Sequence, residues 1–134
     1  MKRLRRRGVP DRALGFATFL GVGRIAFGAA MVLAPRPFLV AMRTPPDQIS
    51  DSARLLTRMA GFRDVVLGIH VLRSRDDRGA LRGAALMNAA ADSGDAVFLA
   101  ASTRSPGFFV AGASGVPVAA SAAVSFYLLA RSLD

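Results

Sequence analysis

The stretch SPGFFVAGASGVPVAASAAVSFYLLA, from Ser105 to Ala130, contains 26 residues and no charged side chain. An uncharged run longer than about 18 residues is typical of a transmembrane helix, because about 20 residues of helix cross the roughly 30 Å of hydrocarbon in a bilayer. A second apolar stretch, from Ala13 to Ala34, is interrupted only by Arg24. A soluble domain of 134 residues has no core that surrounds two such helices on all sides, so the two stretches favour a membrane protein.

Turn and capping signals divide the chain into four predicted helices. Pro35 stops the first helix, and Ser50 or Asp51 is the expected N-cap of the second. A charged segment and a Pro-Gly pair mark the two later turns. The sequence therefore predicts a single all-α membrane domain over residues 1–134, a four-helix transmembrane bundle with up-down-up-down topology. Its spans are expected at about 13–34, 51–72, 80–102 and 108–130.

The distribution of basic residues sets the expected orientation. Of the 18 Lys and Arg residues, eleven flank the amino terminus, the loop after the second helix and the carboxyl end, whereas four flank the opposite side. The positive-inside rule then places both termini in the cytoplasm of a multi-pass protein, and the composition suggests a bacterial inner membrane. Two alternatives are a soluble hairpin between two spans, because the middle helices carry charges, and a cleaved amino-terminal signal.

Charged side chains inside the predicted spans are the strongest candidates for a site. Charges inside a bilayer are expensive, so each is expected to have a partner or water. Counting helical rise from the outer ends pairs Arg24 with Asp92, and Arg58 with Asp95. The cluster either holds the bundle together or lines a cavity that binds a headgroup, an ion or a proton. Its predicted members are Arg24, Arg58, Arg63, Asp64, Asn88, Asp92 and Asp95.

Small residues recur at helical spacing and predict close packing of helices. Those of the first helix share a face with Arg24, and those of the second share a side with Asp64. The ridge on the fourth helix serves internal packing or contact with a second copy of the chain. The predicted packing residues are Gly21, Gly28, Gly61, Gly68, Ala111, Gly115, Ala119 and Ala123.

Several kinds of chemistry are not indicated. The chain has no Cys, which excludes disulfides and thiolate sites, and its single His, His70, has no Ser or Asp set beside it. Asp92 and Asp95 have the spacing of an acidic pair but lack the further aspartates of diphosphate-binding transferases. We therefore predict no catalytic residue and no metal site, and the sequence leaves the cofactor unknown.

Four segments carry a resemblance to known proteins: Gly23–Gly28 (GRIAFG), Leu33–Pro35 (LAP), Arg58–Asp64 (RMAGFRD) and Asn88–Asp92 (NAAAD). Together they resemble an uncharacterised family, a domain of unknown function of small four-helix bacterial membrane proteins that is loosely similar to the DoxX group. The likeness covers nearly the whole chain. It implies a four-helix fold and no established activity.

Three functions stay open on the sequence. The leading hypothesis is non-enzymatic: an accessory or scaffold subunit that binds a membrane partner or itself. The second is a small carrier or channel that uses the buried Arg and Asp side chains, and the third is a membrane redox or lipid-modifying enzyme. Expected partners are membrane lipids and a second copy or a larger membrane complex. The net charge of +9 lies mainly in the flanks and loops, so no nucleic-acid partner is expected.

Overall fold

The computed structural model is all-α, as the sequence predicts, with five α-helices and no strand in the residues that it describes. These are residues 8–103 and 109–134, with the side chains of 109–114 excepted. The four long helices begin and end within two residues of the predicted spans, and a 3₁₀ turn, Pro46–Gln48, precedes the third α-helix. The α-helices are α1 (Asp11–Leu33), α2 (Pro35–Ala41), α3 (Asp51–Ser74), α4 (Arg78–Ser102) and α5 (Phe109–Arg131).

Side-chain caps fix the starts of α3 and α4. The Ser50 hydroxyl accepts a hydrogen bond from the Ala53 amide at 3.1 Å, so Ser50 rather than Asp51 is the N-cap of α3. The Asp77 carboxylate accepts a hydrogen bond from the Ala80 amide at 2.8 Å and caps α4 in the same way. Each cap satisfies one of the amide groups that a helix leaves without an internal partner.

The short helix α2 was not predicted, because Pro35 was interpreted as a stop. Proline also suits the first position of a helix, where its missing N–H is not needed, and α2 begins there after a break at Ala34. The helix ends at Ala41 with Met42 as its C-cap, and the next residue, Arg43, takes a left-handed conformation with φ 61°. The Thr44 amide donates to the Leu39 carbonyl at 3.0 Å and the Arg43 amide donates to the Val40 carbonyl at 2.9 Å, which is the Schellman pattern.

Four glycines bring α1 and α3 into close antiparallel contact. Gly21 lies against Gly68, and Gly28, seven residues later on α1, lies against Gly61, seven residues earlier on α3. A Cβ atom on Gly28 would stand 2.5 Å from the Gly61 carbonyl oxygen, and one on Gly68 would stand 2.7 Å from the Gly21 oxygen. The two backbones touch at these levels, and any larger residue would force them apart.

Helices α4 and α5 form a second antiparallel pair. At one end, the Arg78 guanidinium donates to the Leu133 carbonyl at 2.7 Å, and the Arg82 guanidinium donates to the Asp134 carboxylate at 2.6 Å. Near the other end, a Cβ on Gly115 would stand 2.9 Å from the Leu99 side chain. The bundle therefore consists of two helical hairpins, α1–α3 with α2 in its loop and α4–α5.

The apolar core lies at the end of the bundle where the described chain begins and finishes. Ala13 and Ala17 of α1, Val71 of α3 and the first half of α4 pack there against the last turns of α5. Leu81, Leu129 and Val71 are fully buried at this end. At the opposite end, the two hairpins separate and leave a cleft.

Away from the terminal core, the buried faces of the helices are mostly small or polar, and many large apolar side chains are exposed. Within the described residues, α1 buries Ala13, Ala17, Gly21, Arg24 and Gly28, and most of the buried apolar residues of α4 are alanines. Phe19, Leu33 and Phe98 are more than 70% exposed. This distribution is the reverse of the usual one in water, where large apolar side chains supply most of the burial.

Length and composition single out one described helix as a candidate membrane span, Asp11–Leu33. It lies near the amino terminus, where a signal sequence has the same properties. The described uncharged part of α5, within Gly115–Arg131, is apolar but shorter, and α3 and α4 carry charged residues along their length. Among the described residues, one helix therefore meets these criteria for a candidate span, and the four-span arrangement stays a prediction.

Candidate functional site

The guanidinium of Arg24 joins three of the four long helices. Its two terminal nitrogens donate to both carboxylate oxygens of Asp92, at 2.7 Å and 2.6 Å. The nitrogen Nη2 also donates to Asp64 Oδ1 at 3.0 Å. Arg24 on α1 thus holds Asp64 on α3 and Asp92 on α4. The pairing of Arg24 with Asp92 is the one that depth along the helices predicts.

A second guanidinium, that of Arg63 on α3, extends this set. Its terminal nitrogens donate to both oxygens of Asp95, at 2.9 Å and 2.6 Å. Arg63 Nη2 also donates to Asp64 Oδ1 at 3.1 Å. The five side chains therefore alternate in sign along one continuous path, termed the ion network below: Asp92, Arg24, Asp64, Arg63 and Asp95.

Burial is uneven along the ion network. Arg24, Asp64 and Asp92 are each less than 9% exposed, whereas the side chains of Arg63 and Asp95 are 41% and 35% exposed. The Arg24 guanidinium also lies 5.5 Å from the centre of the Phe126 ring, which adds a cation–π contact to α5. Removing one member of a buried, bidentate pair leaves an uncompensated charge, so the Arg24 end of the network is the one on which the fold depends most.

The ion network bridges the two hairpins where apolar contact between them is sparse. Arg24 and Arg63 belong to the α1–α3 hairpin, and their bidentate partners Asp92 and Asp95 belong to α4. Bidentate guanidinium–carboxylate pairs fix both distance and orientation. The network therefore sets how the two hairpins lie relative to each other.

The predicted pairing of Arg58 with Asp95 is wrong. Arg58 is exposed on α3, and Asp95 is bonded instead by Arg63. The two arginines lie on opposite flanks of the buried face of α3, and only the flank with Arg63 faces α4. The sequence spacing shows that Arg58 and Arg63 lie on different sides of α3. It does not show which of these sides faces α4.

Two further polar residues lie apart from the ion network. Asn88 is fully buried, but its amide nitrogen donates at 2.9 Å to the Ala84 carbonyl of its own helix, and it contacts none of the charged members through a hydrogen bond. Its burial on α4 agrees with the prediction of a buried polar residue, but Asn88 is not part of the hydrogen-bonded ion network. His70 is exposed near the end of α3.

A cleft of about 870 Å³ opens above the ion network between the two hairpins. All five members of the network line it, and apolar side chains from every α-helix form the rest of its described wall. These include Phe19 and Phe27 of α1, Phe38 and Leu39 of α2, and Phe98 of α4. Phe27 and Phe38 pack edge to face at 5.0 Å, which holds α2 against the side of the cleft.

The small residues divide between the helix contacts and the cleft. Gly21, Gly28, Gly61 and Gly68 lie in the α1–α3 contact, and Gly115 lies against α4. Ala119 lines the cleft, and Ala123 is half-buried on α5. The side chain of Ala111 lies outside the described residues.

Part of the site was not predicted from the sequence. The residues that α2 adds to the cleft, and Phe126, are uncharged, so no charge marks them in the sequence. Their place in the site depends on which helices pack against each other. A proline at a helix start followed by an apolar segment, PRPFLVA, is the one signal that indicates α2. Phe126 lies in an uncharged run where no residue stands out from its neighbours.

Comparison with known proteins assigns the chain to no family. No family model matches the chain, and neither a curated protein nor a solved structure gives a significant match. The resemblance to DoxX-like proteins therefore stays a prediction that rests on the four sequence segments alone.

The chemistry of the site follows from its two parts. Its wall is apolar and its floor is charged, so it suits a molecule with an apolar body and a polar end. Pockets that bind small molecules have volumes of about 300–1,000 Å³ and are mostly apolar with a few converging polar groups. Among the described residues, no group of three or more metal-binding side chains is close enough to hold an ion.

Proposed function

We propose that this chain is a four-span protein of the bacterial inner membrane, with both termini in the cytoplasm, and that it binds a small amphipathic molecule as a carrier does. The single observation that carries the binding proposal is the cleft of about 870 Å³, which has apolar walls and ends on the ion network. The apolar body of the ligand would occupy the cleft, and its polar end would lie against the charged side chains.

Membrane placement is supported by where the side chains lie. The four long helices have 23 to 25 residues each, enough to cross about 30 Å at about 1.5 Å per residue. Their outward faces carry Phe, Leu, Val and Met, and the charges of α3 that lie deepest are turned into the ion network. Arg58 is exposed, but it lies two turns from the start of α3, so its long side chain can reach the bilayer surface.

The four-span topology is tested by single cysteines, since the chain has none of its own. Asp47 is exposed between α2 and α3, and Asp76 is exposed between α3 and α4. In right-side-out spheroplasts, a membrane-impermeant maleimide should label Asp47→Cys and should label Asp76→Cys only after permeabilisation. Labelling of both positions in intact spheroplasts would exclude the proposed topology.

The geometry favours a ligand-binding protein over a scaffold. A scaffold that associates through small residues would present them on an exposed face and seal its charges inside. Here the four glycines of α1 and α3 are used within the chain, and the charges line an open cleft. The packed terminal end, with Leu81 and Leu129 fully buried, closes the bundle below the network and favours a carrier over a continuous channel.

Binding is tested with triphenylphosphine oxide, a neutral molecule with a bulky aromatic body and one polar oxygen. Tritiated probe should bind the detergent-solubilised chain saturably, at one molecule per chain. Ala119→Phe places a large side chain in the cleft and should weaken binding by about tenfold, since forcing extra volume into an occupied site costs about 1–3 kcal/mol.

Ala120→Phe is the matched control, because Ala120 is the next residue on α5, is exposed and does not line the cleft. It should leave binding unchanged, and circular dichroism should show the same helix content in both variants. Equal binding by both variants, or no saturable binding by the wild-type chain, would overturn the proposal.

A further inference from the structure

The charged floor of the cleft is not balanced. The ion network contains three carboxylates and two guanidiniums, and no other charged side chain among the described residues lines the cleft. The formal charges of these five side chains, three negative and two positive, sum to one net negative charge. This sign is opposite to that of the whole chain, whose net charge is +9.

The unmatched charge is located on Asp64. Asp92 and Asp95 each accept hydrogen bonds through both oxygens from a single guanidinium. Asp64 shares Oδ1 between Arg24 and Arg63, at 3.0 Å and 3.1 Å, and its Oδ2 accepts no hydrogen bond from the described residues. The residue is 8% exposed, and it lines the cleft.

Asp64 Oδ2 is not among the fully buried polar atoms, and Asp64 lines the cleft, so this oxygen is open to a bound molecule. An anionic oxygen in apolar surroundings is costly unless a positive charge lies near it. A positively charged end of a bound molecule provides that charge. An anionic end would meet Asp64 with the same sign, and a neutral end would leave the charge of the site uncompensated. The apolar wall of the cleft adds the second requirement, an apolar body.

We propose that the cleft selects a lipophilic monovalent organic cation, whose charged centre lies at Asp64 Oδ2 and whose apolar body packs on the aromatic wall. The proposal rests on the function proposed above and adds the charge class of the ligand. Phe98 and Phe27 line the cleft, and aromatic rings attract a cation that lies over their faces. A bound monovalent cation brings the summed charge of the ligand and the five network side chains to zero.

The test compares two probes of the same shape and opposite charge, tetraphenylphosphonium and tetraphenylborate, with triphenylphosphine oxide as the neutral reference. Saturable binding of each is measured on the purified, detergent-solubilised full chain. The wild-type chain should bind tetraphenylphosphonium more tightly than tetraphenylborate, despite its overall positive charge. Asp64→Asn should weaken tetraphenylphosphonium binding by about 270-fold, given a unit charge about 5 Å away at an effective dielectric constant of about 20.

Asp76→Asn makes the same chemical change and the same change in net charge at an exposed turn outside the cleft, so it should leave all three affinities unchanged. Retained binding of triphenylphosphine oxide by Asp64→Asn shows that the cleft of this variant is intact. If Asp64→Asn does not fold, the cation selectivity is tested by comparing the two charged probes on the wild-type chain.

The outcomes separate the two proposals. Saturable binding of triphenylphosphine oxide without preference for tetraphenylphosphonium over tetraphenylborate would overturn the cation selectivity and leave the cleft as a binding site. An equal loss of all three probes in a folded Asp64→Asn variant would also overturn it. Absence of saturable binding for every probe would overturn the proposed function itself.

Discussion

Replacing Gly28 with Ala tests the contact that holds the first hairpin together. The added Cβ would stand 2.5 Å from the Gly61 carbonyl oxygen and 2.9 Å from the Val65 amide nitrogen. Both are backbone atoms and cannot rotate away. Because ordinary contacts begin at about 3.5 Å, α1 and α3 must separate by about 1 Å at this level.

The separation reaches the ion network, since Arg24 lies one turn from Gly28. Its bond to Asp64, at 3.0 Å, would lengthen to about 4 Å and cease to be a hydrogen bond. Gly15→Ala is the matched control on the same helix, because a Cβ there meets nothing within 4 Å. Both variants gain the same helix propensity, about 1 kcal/mol, so their difference isolates the clash.

We expect Gly28→Ala to be less stable than Gly15→Ala by about 1–3 kcal/mol, the usual cost of overpacking. Reversible unfolding in mixed detergent micelles, followed by circular dichroism, measures the free energy of unfolding of each variant. If Gly28→Ala matched Gly15→Ala, the two helices would not touch at this level, and the antiparallel glycine contact would be refuted.

The same unfolding assay ranks the arginines within α1 and α3. Arg24→Met leaves Asp92 and Asp64 without their shared donor and should cost about 3–5 kcal/mol, and adding Asp92→Asn should recover part of that loss. Arg63→Met breaks a bidentate pair that is partly exposed and should cost less, about 1–3 kcal/mol. Arg58→Met should change stability by less than about 0.5 kcal/mol, because the side chain is exposed. A loss at Arg58 as large as that at Arg24 would contradict the observed pairing.

The long helices could be predicted from the sequence because local signals set their ends. Ser50 caps α3, Asp77 caps α4, and Pro35 interrupts the helical run that precedes it. Such signals act within one turn and need no knowledge of the fold. The short helix α2 was missed because a proline signals a stop and a start equally well, and what decides between them is the packing of Phe38 on Phe27.

The site could be predicted in part. Depth along a helix is a local quantity, and it correctly matched Arg24 with Asp92 across two helices. Depth wrongly matched Arg58 with Asp95, because the partner of Asp95 is decided by how α3 is rotated about its axis, and the rotation turns Arg63 toward α4. The cleft itself had no sequence signal, because it arises from the spacing between two hairpins rather than from any one segment.

The division into two hairpins has a consequence for how the chain is made. Within the ion network, the first hairpin carries Arg24, Arg63 and Asp64, and the second carries Asp92 and Asp95. In the proposed four-span arrangement, each half would leave charge uncompensated in hydrocarbon until the other half inserted beside it. The two halves expressed as separate polypeptides should therefore associate with each other.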